Sequence, residues 1–320
     1  MPQHRDLAGG ALNGSNASLG VLMGNVFRRS SGRSWRLRQN SMRLWPRWIE
    51  QLRVHEPALA LEAGLIQVAA DEESRKQMEA LAAQRASLGL EMISREALQT
   101  LWPAAGHGGL RSNKDGRVDP LLLQAALRKA ISLENVAWVH KEAIGINQED
   151  QGWRVETETG TSHHRTVVLC NALGGNRLLE QLGQDERMAP VLGQALTLQL
   201  KEPLDFAEQW PAVLVHKGVN FIPLAENKML MGATVEHGDK PANEMLEEML
   251  RMDGDAPQWL TKAKVLEHWC GARARPINQP APILKQLEPG LVIASGHYRN
   301  GILLAPATAD WVTDEISKRA

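Results

Sequence analysis

The chain has 320 residues, 43% of them hydrophobic and 23% charged, enough for one large or two moderate domains with a sizeable core. A formal net charge of −1 gives no bulk attraction to nucleic acid or to an anionic membrane surface. The longest apolar runs, such as Val167 to Cys170 and Ile302 to Ala305, are far too short to cross a bilayer, which argues against a membrane protein.

The opening MPQHRDLAGG carries charge but no following apolar stretch, so it does not read as a signal peptide. With Cys170 and Cys270 as the only cysteines, a reducing, cytoplasmic setting with packed thiols is expected. Gly9 to Gly24 is rich in Gly, Ser and Asn before it turns apolar, the composition of a loop whose backbone approaches something closely. A helix is predicted over Ser34 to Arg53, with Leu37, Ser41, Leu44, Trp45, Trp48 and Leu52 on one face and Arg36, Arg43 and Arg47 on others. That separation favours an amphipathic helix over a nucleic-acid stacking surface.

Leu65 to Ala70 reads as a strand, Glu72 to Leu88 as a helix stopped by Gly89, and Arg95 to Leu101 as a short helix ended by Trp102-Pro103. Asp119-Pro120 opens a helix to Ile131, Asp as N-cap and Pro in the first turn. Strands are expected over Ala137 to Ile146 and Trp153 to Thr159, and Thr166 to Cys170 has the unbroken apolar pattern of a strand buried on both faces. Gly193 to Leu200, Ala212 to His216, Asn220 to Leu224 and Lys228 to Val235 are short runs divided by turn residues, as in an antiparallel sheet. Helices over Asn243 to Met252 and Pro257 to Ala263, a buried strand over Leu291 to Ala294 and a closing helix from Pro306 to about Lys318 complete the pass. His163-His164 is read as a solvated strand end, and no residue set has metal-ligand spacing.

The segment Leu291 to Val312 concentrates the chemistry. A buried strand enters Gly296-His297-Tyr298-Arg299-Asn300-Gly301, a sharp turn that aims backbone N–H groups and a helix N-terminus at one spot, where negative charge is favoured. Arg299 in the same turn can hold a carboxylate.

The run GHYRNGILLAPATA resembles the C-terminal signature of the glycine oxidase branch of the D-amino-acid oxidase family of flavoproteins. Asn13 to Gly24, Val118-Asp119-Pro120, PVLGQ at Pro190 to Gln194, KMLMGATVE at Lys228 to Glu236 and GARARP at Gly271 to Pro276 are similar to further family segments in the same order. The resemblance implies an α/β (α+β) fold: an FAD/NAD(P)-binding-type flavin domain over residues 1–59, 118–188 and 270–320, and an antiparallel-sheet substrate domain over 60–117 and 189–269. It implies FAD as cofactor, held by Ser15, Ala17, Gly20, Val21, Leu22, Ile144, Gly296, His297, Asn300, Gly301, Ile302 and Leu303. Arg275 and Arg299 match the family's two substrate-carboxylate arginines, and Phe221 falls near its active-site tyrosine. No catalytic side chain is assigned.

The implied reaction is oxidation of a small amino acid or secondary amine by hydride transfer to the flavin, with imine hydrolysis and reduction of dioxygen to peroxide. A role in thiamine biosynthesis follows by analogy only. Nucleic acid and membrane are not expected partners, and a homo-oligomer stays open. The sequence also departs from the family. It lacks the first βαβ unit with G-x-G-x-x-G; Leu192 stands where Arg is usual; Phe221 has no hydroxyl; and Leu224 follows Pro223 where an Arg often sits. These departures keep two other readings in view: a remnant that no longer binds FAD, and an amine dehydrogenase using an acceptor other than oxygen.

Overall fold

The computed structural model describes residues 12–204, 209–238 and 240–318, and the Gly9-Gly10 pair lies outside them. Among the described residues the centre is an eleven-stranded sheet. Nine strands follow in the order Leu12–Asn13, Lys264–Pro276, Met188–Gln199, Lys228–Gly232, Val219–Leu224, Val213–His216, Leu61–Val68, Gly109–Val118 and Val21–Leu22; Glu236–His237 and Leu90–Ile93 pair beside this path. The pairing is antiparallel except between Leu12–Asn13 and Lys264–Pro276 and between Val213–His216 and Leu61–Val68. Register places Gly193 opposite Gly271 and Ala195 opposite Gly232.

Period-two alternation sorts the side chains of this sheet onto two covered faces. Leu65, Val213, Val215, Ile222 and Leu230 pack with Leu19, Val26 and the Leu81 and Ala82 pair of helix Glu72–Gln84. Ile66, Leu214, Phe221, Met229 and Met231 point the other way, against Trp102, Trp210, Trp259 and Met249. Each fully buried side chain of this kind contributes about 1.5 to 3 kcal/mol from apolar area.

A three-stranded sheet runs Ile283–Glu288, Leu291–Ser295, Val167–Leu169, the last two parallel. A meander of Gly145–Glu149, Gly152–Thr157 and Gly160–His164 packs near it through Ile146 and Trp153. Three helices share a further core: Trp45, Ile49 and Leu52 of Gly32–Leu52 meet Leu123 and Ala126 of Pro120–Leu133 and Leu303 and Leu304 of Gly301–Ser317. No helix among the described residues is long and apolar enough to cross a membrane.

Several expectations need correction. The segment from Asn135 to Ile144 has no regular structure, and Val136, Trp138 and Val139 are exposed; only Gly145–Glu149 pairs, because alternation without a sheet partner does not make a strand. Val167–Leu169 is an edge strand with Val167 and Val168 half-exposed, so burial on both faces is not observed. Cys170 beside it is exposed rather than packed, while Cys270 is buried. GARARP, whose resemblance to a family turn before the last strand implies a turn, is instead the end of the 13-residue strand Lys264–Pro276. The closing helix begins at Gly301, with Pro306 inside it. His163 and His164 are solvated, hydrogen-bonded to Glu149 and Ser162.

Candidate active site

The strand Leu291–Ser295 is buried throughout and delivers the chain to Gly296, whose φ is +64°. A Cβ at Gly296 would stand 2.9 Å from Pro276 Cγ and 3.1 Å from Ile283 Cγ1, so both the backbone angle and the space select glycine. Tyr298 also takes a positive φ, 54°, which a tyrosine adopts only when its surroundings impose it. Residues Tyr298–Asn300 make one 3-10 turn, and helix Gly301–Ser317 starts from it. Asn300, at the N-cap, makes no side-chain capping bond, and the first turn holds no acidic residue. Exposed Gly301 therefore heads a helix whose positive dipole end has, among the described residues, neither a side-chain cap from Asn300 nor an acidic residue in its first turn.

His297 lies just before this turn, with Nε2 2.8 Å from Thr308 Oγ1. Burial, and then the positive charge of Arg33, push its pKa down to about 4. It is neutral at pH 7 and tied into the helix, a structural part of the turn rather than a charged group.

The facing wall is the end of strand Lys264–Pro276. Arg273 and Arg275, two residues apart, share one face of it. The Arg273 guanidinium donates from Nη1 to Leu192 O at 2.8 Å and to Thr234 O at 3.1 Å. It lies against Gly193, where a Cβ would stand 2.1 Å from Nη2. Burial, followed by repulsion from Arg299, lowers the Arg273 pKa, so the two positive charges lie within electrostatic reach. Arg275 is exposed and sits over the Tyr298 ring, 5.8 Å from its centroid.

Behind this wall a polar network is closed. Glu236 Oε1 accepts from Gln194 Nε2 at 2.9 Å and from Thr234 Oγ1, and Glu236 Oε2 accepts from Ala242 N at 2.7 Å. Gln194 Oε1 in turn meets His268 Nε2 at 2.8 Å. The network holds the carbonyls that fix Arg273 but leaves its own carboxylate fully engaged.

The loop expected along the cofactor contains the short helix Gly14–Ala17, which carries Ser15 and Ala17 and packs against Lys264–Pro276 and Gly301–Ser317. Gly20 donates to Ser18 Oγ at 3.0 Å, and Val21 and Leu22 pair with Arg117 and Gly116. Just beyond, the buried Asp115 carboxylate accepts from the N–H groups of Gly24 and Asn25, each at 2.8 Å, and of Val26 at 3.0 Å. Burial pushes the Asp115 pKa up against these bonds. Arg85 ties down the same loop by donating to the carbonyls of Asn25, Phe27 and Arg29.

The fold thus brings Ser15, Ala17, Gly296, His297, Asn300, Gly301, Arg275 and Arg299 onto adjoining elements. It separates others. Phe221 is fully buried on the opposite sheet face, its ring centroid 4.9 Å from that of Trp102, and Ile222 faces the loop side instead. Leu22 and Leu303 are buried in the helical core, the Leu303 carbonyl taking Trp45 Nε1 at 3.0 Å, while Ile302 packs half-buried against it. Ile144 stands beside the small meander and gives its N–H to Glu156 O at 2.8 Å. Arg273, Asp115 and Arg85 were missed. For Arg273 the signal was present: its i, i+2 relation to Arg275 puts both on one face once GARARP is read as strand.

A model of the family described as FAD dependent oxidoreductase (DAO) matches residues 5–315. Glycine oxidase of Bacillus licheniformis is 26% identical over 263 residues, 80% of this chain and 69% of that protein. Glycine oxidase of Pseudomonas putida is 30% identical over 229 residues, 68% of this chain and 60% of that protein, so the chain spans less than two thirds of that relative. The crystal structure of glycine oxidase from Geobacillus kaustophilus superposes with a TM-score of 0.82 at 25% identity, covering 97% of this chain and 87% of that one.

Proposed function

The chain belongs to the family of FAD-dependent oxidoreductases, and from that premise we propose that it oxidises a small amino acid or secondary amine. FAD is the cofactor of the family, and the residues present fit its flavin ring. Gly296, Asn300 and Gly301, at the N-terminus of Gly301–Ser317 that lacks a side-chain cap from Asn300, would hold the ring and supply N–H groups to it. Ser15 and Ala17 would lie along the ring, with Gly20 and Val21 setting the path of the loop. The pyrophosphate end is different: no G-x-G-x-x-G occurs in the chain, and no residue is assigned to it. In this reading residues 1–59, 118–188 and 270–320 serve the flavin, and residues 60–117 and 189–269 serve the substrate.

When bound, the flavin supplies a two-electron acceptor for the substrate's Cα–H, with dioxygen as the acceptor that regenerates it and peroxide as the product. The protein's part is positioning and electrostatics. Arg299, with arginine from the end of the facing strand, holds the substrate carboxylate and so fixes the amine carbon relative to the helix N-terminus. Neutral His297 supplies no charge there and keeps the turn in register.

The observation that carries the reading is the uncapped helix N-terminus set beside the arginine-bearing strand end. Its test is a titration of the purified chain with FAD, followed by quenching of FAD fluorescence, then by peroxide release with glycine and sarcosine in air. Saturable one-to-one binding and amine-dependent peroxide are expected. A folded chain that binds no FAD sinks the proposal, and flavin bleaching without peroxide replaces the oxidase with a dehydrogenase.

A further inference from the structure

Resting on the amine-oxidising reading above, we propose that the substrate carries two carboxylates, one held between Arg299 and Arg273 and the second by Arg275. The sequence reading assigned one carboxylate to two arginines; the structure places a third on the same wall. Arg273 and Arg275 project from one face of strand Lys264–Pro276 with Cα atoms about 7 Å apart at the rise of a β-strand. The turn bearing Tyr298 and Arg299 packs against that strand, and Arg275 lies over the Tyr298 ring.

Arg273, Arg275 and Arg299 therefore lie on two packed elements, and among the described residues Glu236 is the carboxylate whose charge acts on Arg273. Among the described residues, Arg275 and Arg299 have no carboxylate within ion-pair distance and no hydrogen-bond acceptor, and Arg273 bonds only to backbone carbonyls. Glu236, the acid nearest in this network, spends both oxygens on Gln194, Thr234 and Ala242. With Glu236 partly offsetting Arg273, a monocarboxylate amino acid held between Arg273 and Arg299 leaves the guanidinium of Arg275 without a carboxylate. A second carboxylate on the amine's other arm answers the exposed guanidinium of Arg275, where a planar, bidentate partner fits.

The test compares two amines that differ by one carboxylate: sarcosine, and iminodiacetate, in which that methyl group bears a second carboxylate. Binding to the full chain is measured by calorimetry without FAD, and by the flavin absorbance change with FAD present. The expected result is at least tenfold tighter binding of iminodiacetate than of sarcosine. That ratio should fall toward one in Arg275→Met and recover in part in Arg275→Lys. Equal or weaker binding of iminodiacetate overturns the inference, as does a ratio unmoved in Arg275→Met when circular dichroism shows the variant folded. Flavin reduction by sarcosine without a dicarboxylate preference leaves the oxidase reading standing and removes this one. Preferential iminodiacetate binding without flavin reduction supports the site and removes the oxidase reading.

Discussion

Asp115 and His216 are two buried polar side chains with opposite accounts of themselves. The Asp115 carboxylate collects three backbone N–H groups of residues 24–26 in the interior. Asp115→Ala strands those donors without water, and a loss of about 2 to 4 kcal/mol in urea unfolding is expected. His216 has both ring nitrogens buried without a partner, its ring 5.0 Å from that of Trp102. Burial, then the charge of Lys217, lowers its pKa to about 4. As pH falls the unfolded chain takes up this proton first, near pH 6.5, while the folded chain resists it until about 4. Stability present above pH 6.5 is therefore lost through that window, with a slope approaching 1.4 kcal/mol per pH unit, about one proton's worth. In His216→Phe, urea melts at pH 7, 5.5 and 4.5 should show that slope reduced by about one proton.

At the scale of elements, the strand–turn–helix from Leu291 to Ser317 decides whether the site exists. Its geometry depends on Gly296, where a side chain meets Pro276 and Ile283 and the backbone angle is left-handed. Gly296→Ala should cost about 1 to 3 kcal/mol in stability and move the start of the helix. A fall in Tm together with a rise in the Kd for FAD is the expected pair of results; unchanged FAD affinity in a destabilised variant would detach the turn from cofactor binding. The helix from Gly32 to Leu52 shows the converse case. Its apolar face is dictated locally, with Trp35, Leu44, Trp45 and Ile49 buried and Arg36, Arg43 and Arg47 outward, so the periodicity alone located it.

On the scale of the whole molecule, the two sheets differ in how well they are enclosed. The large sheet has apolar clusters on both faces, whereas the three-stranded sheet ends at Val167–Leu169, an edge strand with half-exposed valines. Stability should follow that difference. In hydrogen exchange, amides of Val167–Leu169 are expected to exchange before those of Leu291–Ser295, and the centre of Met188–Gln199 last. Protection of the edge strand equal to that of the large sheet would contradict the description of it as open. Three of the ten tryptophans pack together on one face of the large sheet: Trp259 meets Trp102, Trp210 and Phe221 edge to face, and Trp102 is tilted against Phe221.

The sequence by itself determined the elements whose causes are local. The Asp119 cap accepts from the N–H groups of Leu121 and Leu122 as its position before Pro120 requires, and the Gly296–Gly301 turn was legible as a sharp bend into a helix; Gly89, at φ +83°, ends only the 3-10 turn Ala86–Leu88, because the expected helix already stops at Gln84. The tertiary structure alone decided which side chains share a space. Phe221 and Ile222 are neighbours in sequence, yet strand pleating sends them to opposite faces, and only the register with Val213–His216 and Lys228–Gly232 says which face is which. Val136, Trp138 and Val139 have the composition of a strand, but a strand needs a neighbour to take its hydrogen bonds, and none stands beside them among the described residues. Arg273 follows the same logic: it shares a strand face with Arg275 because Lys264–Pro276 stays paired to its end, a long-range pairing with Met188–Gln199 that no local window contains.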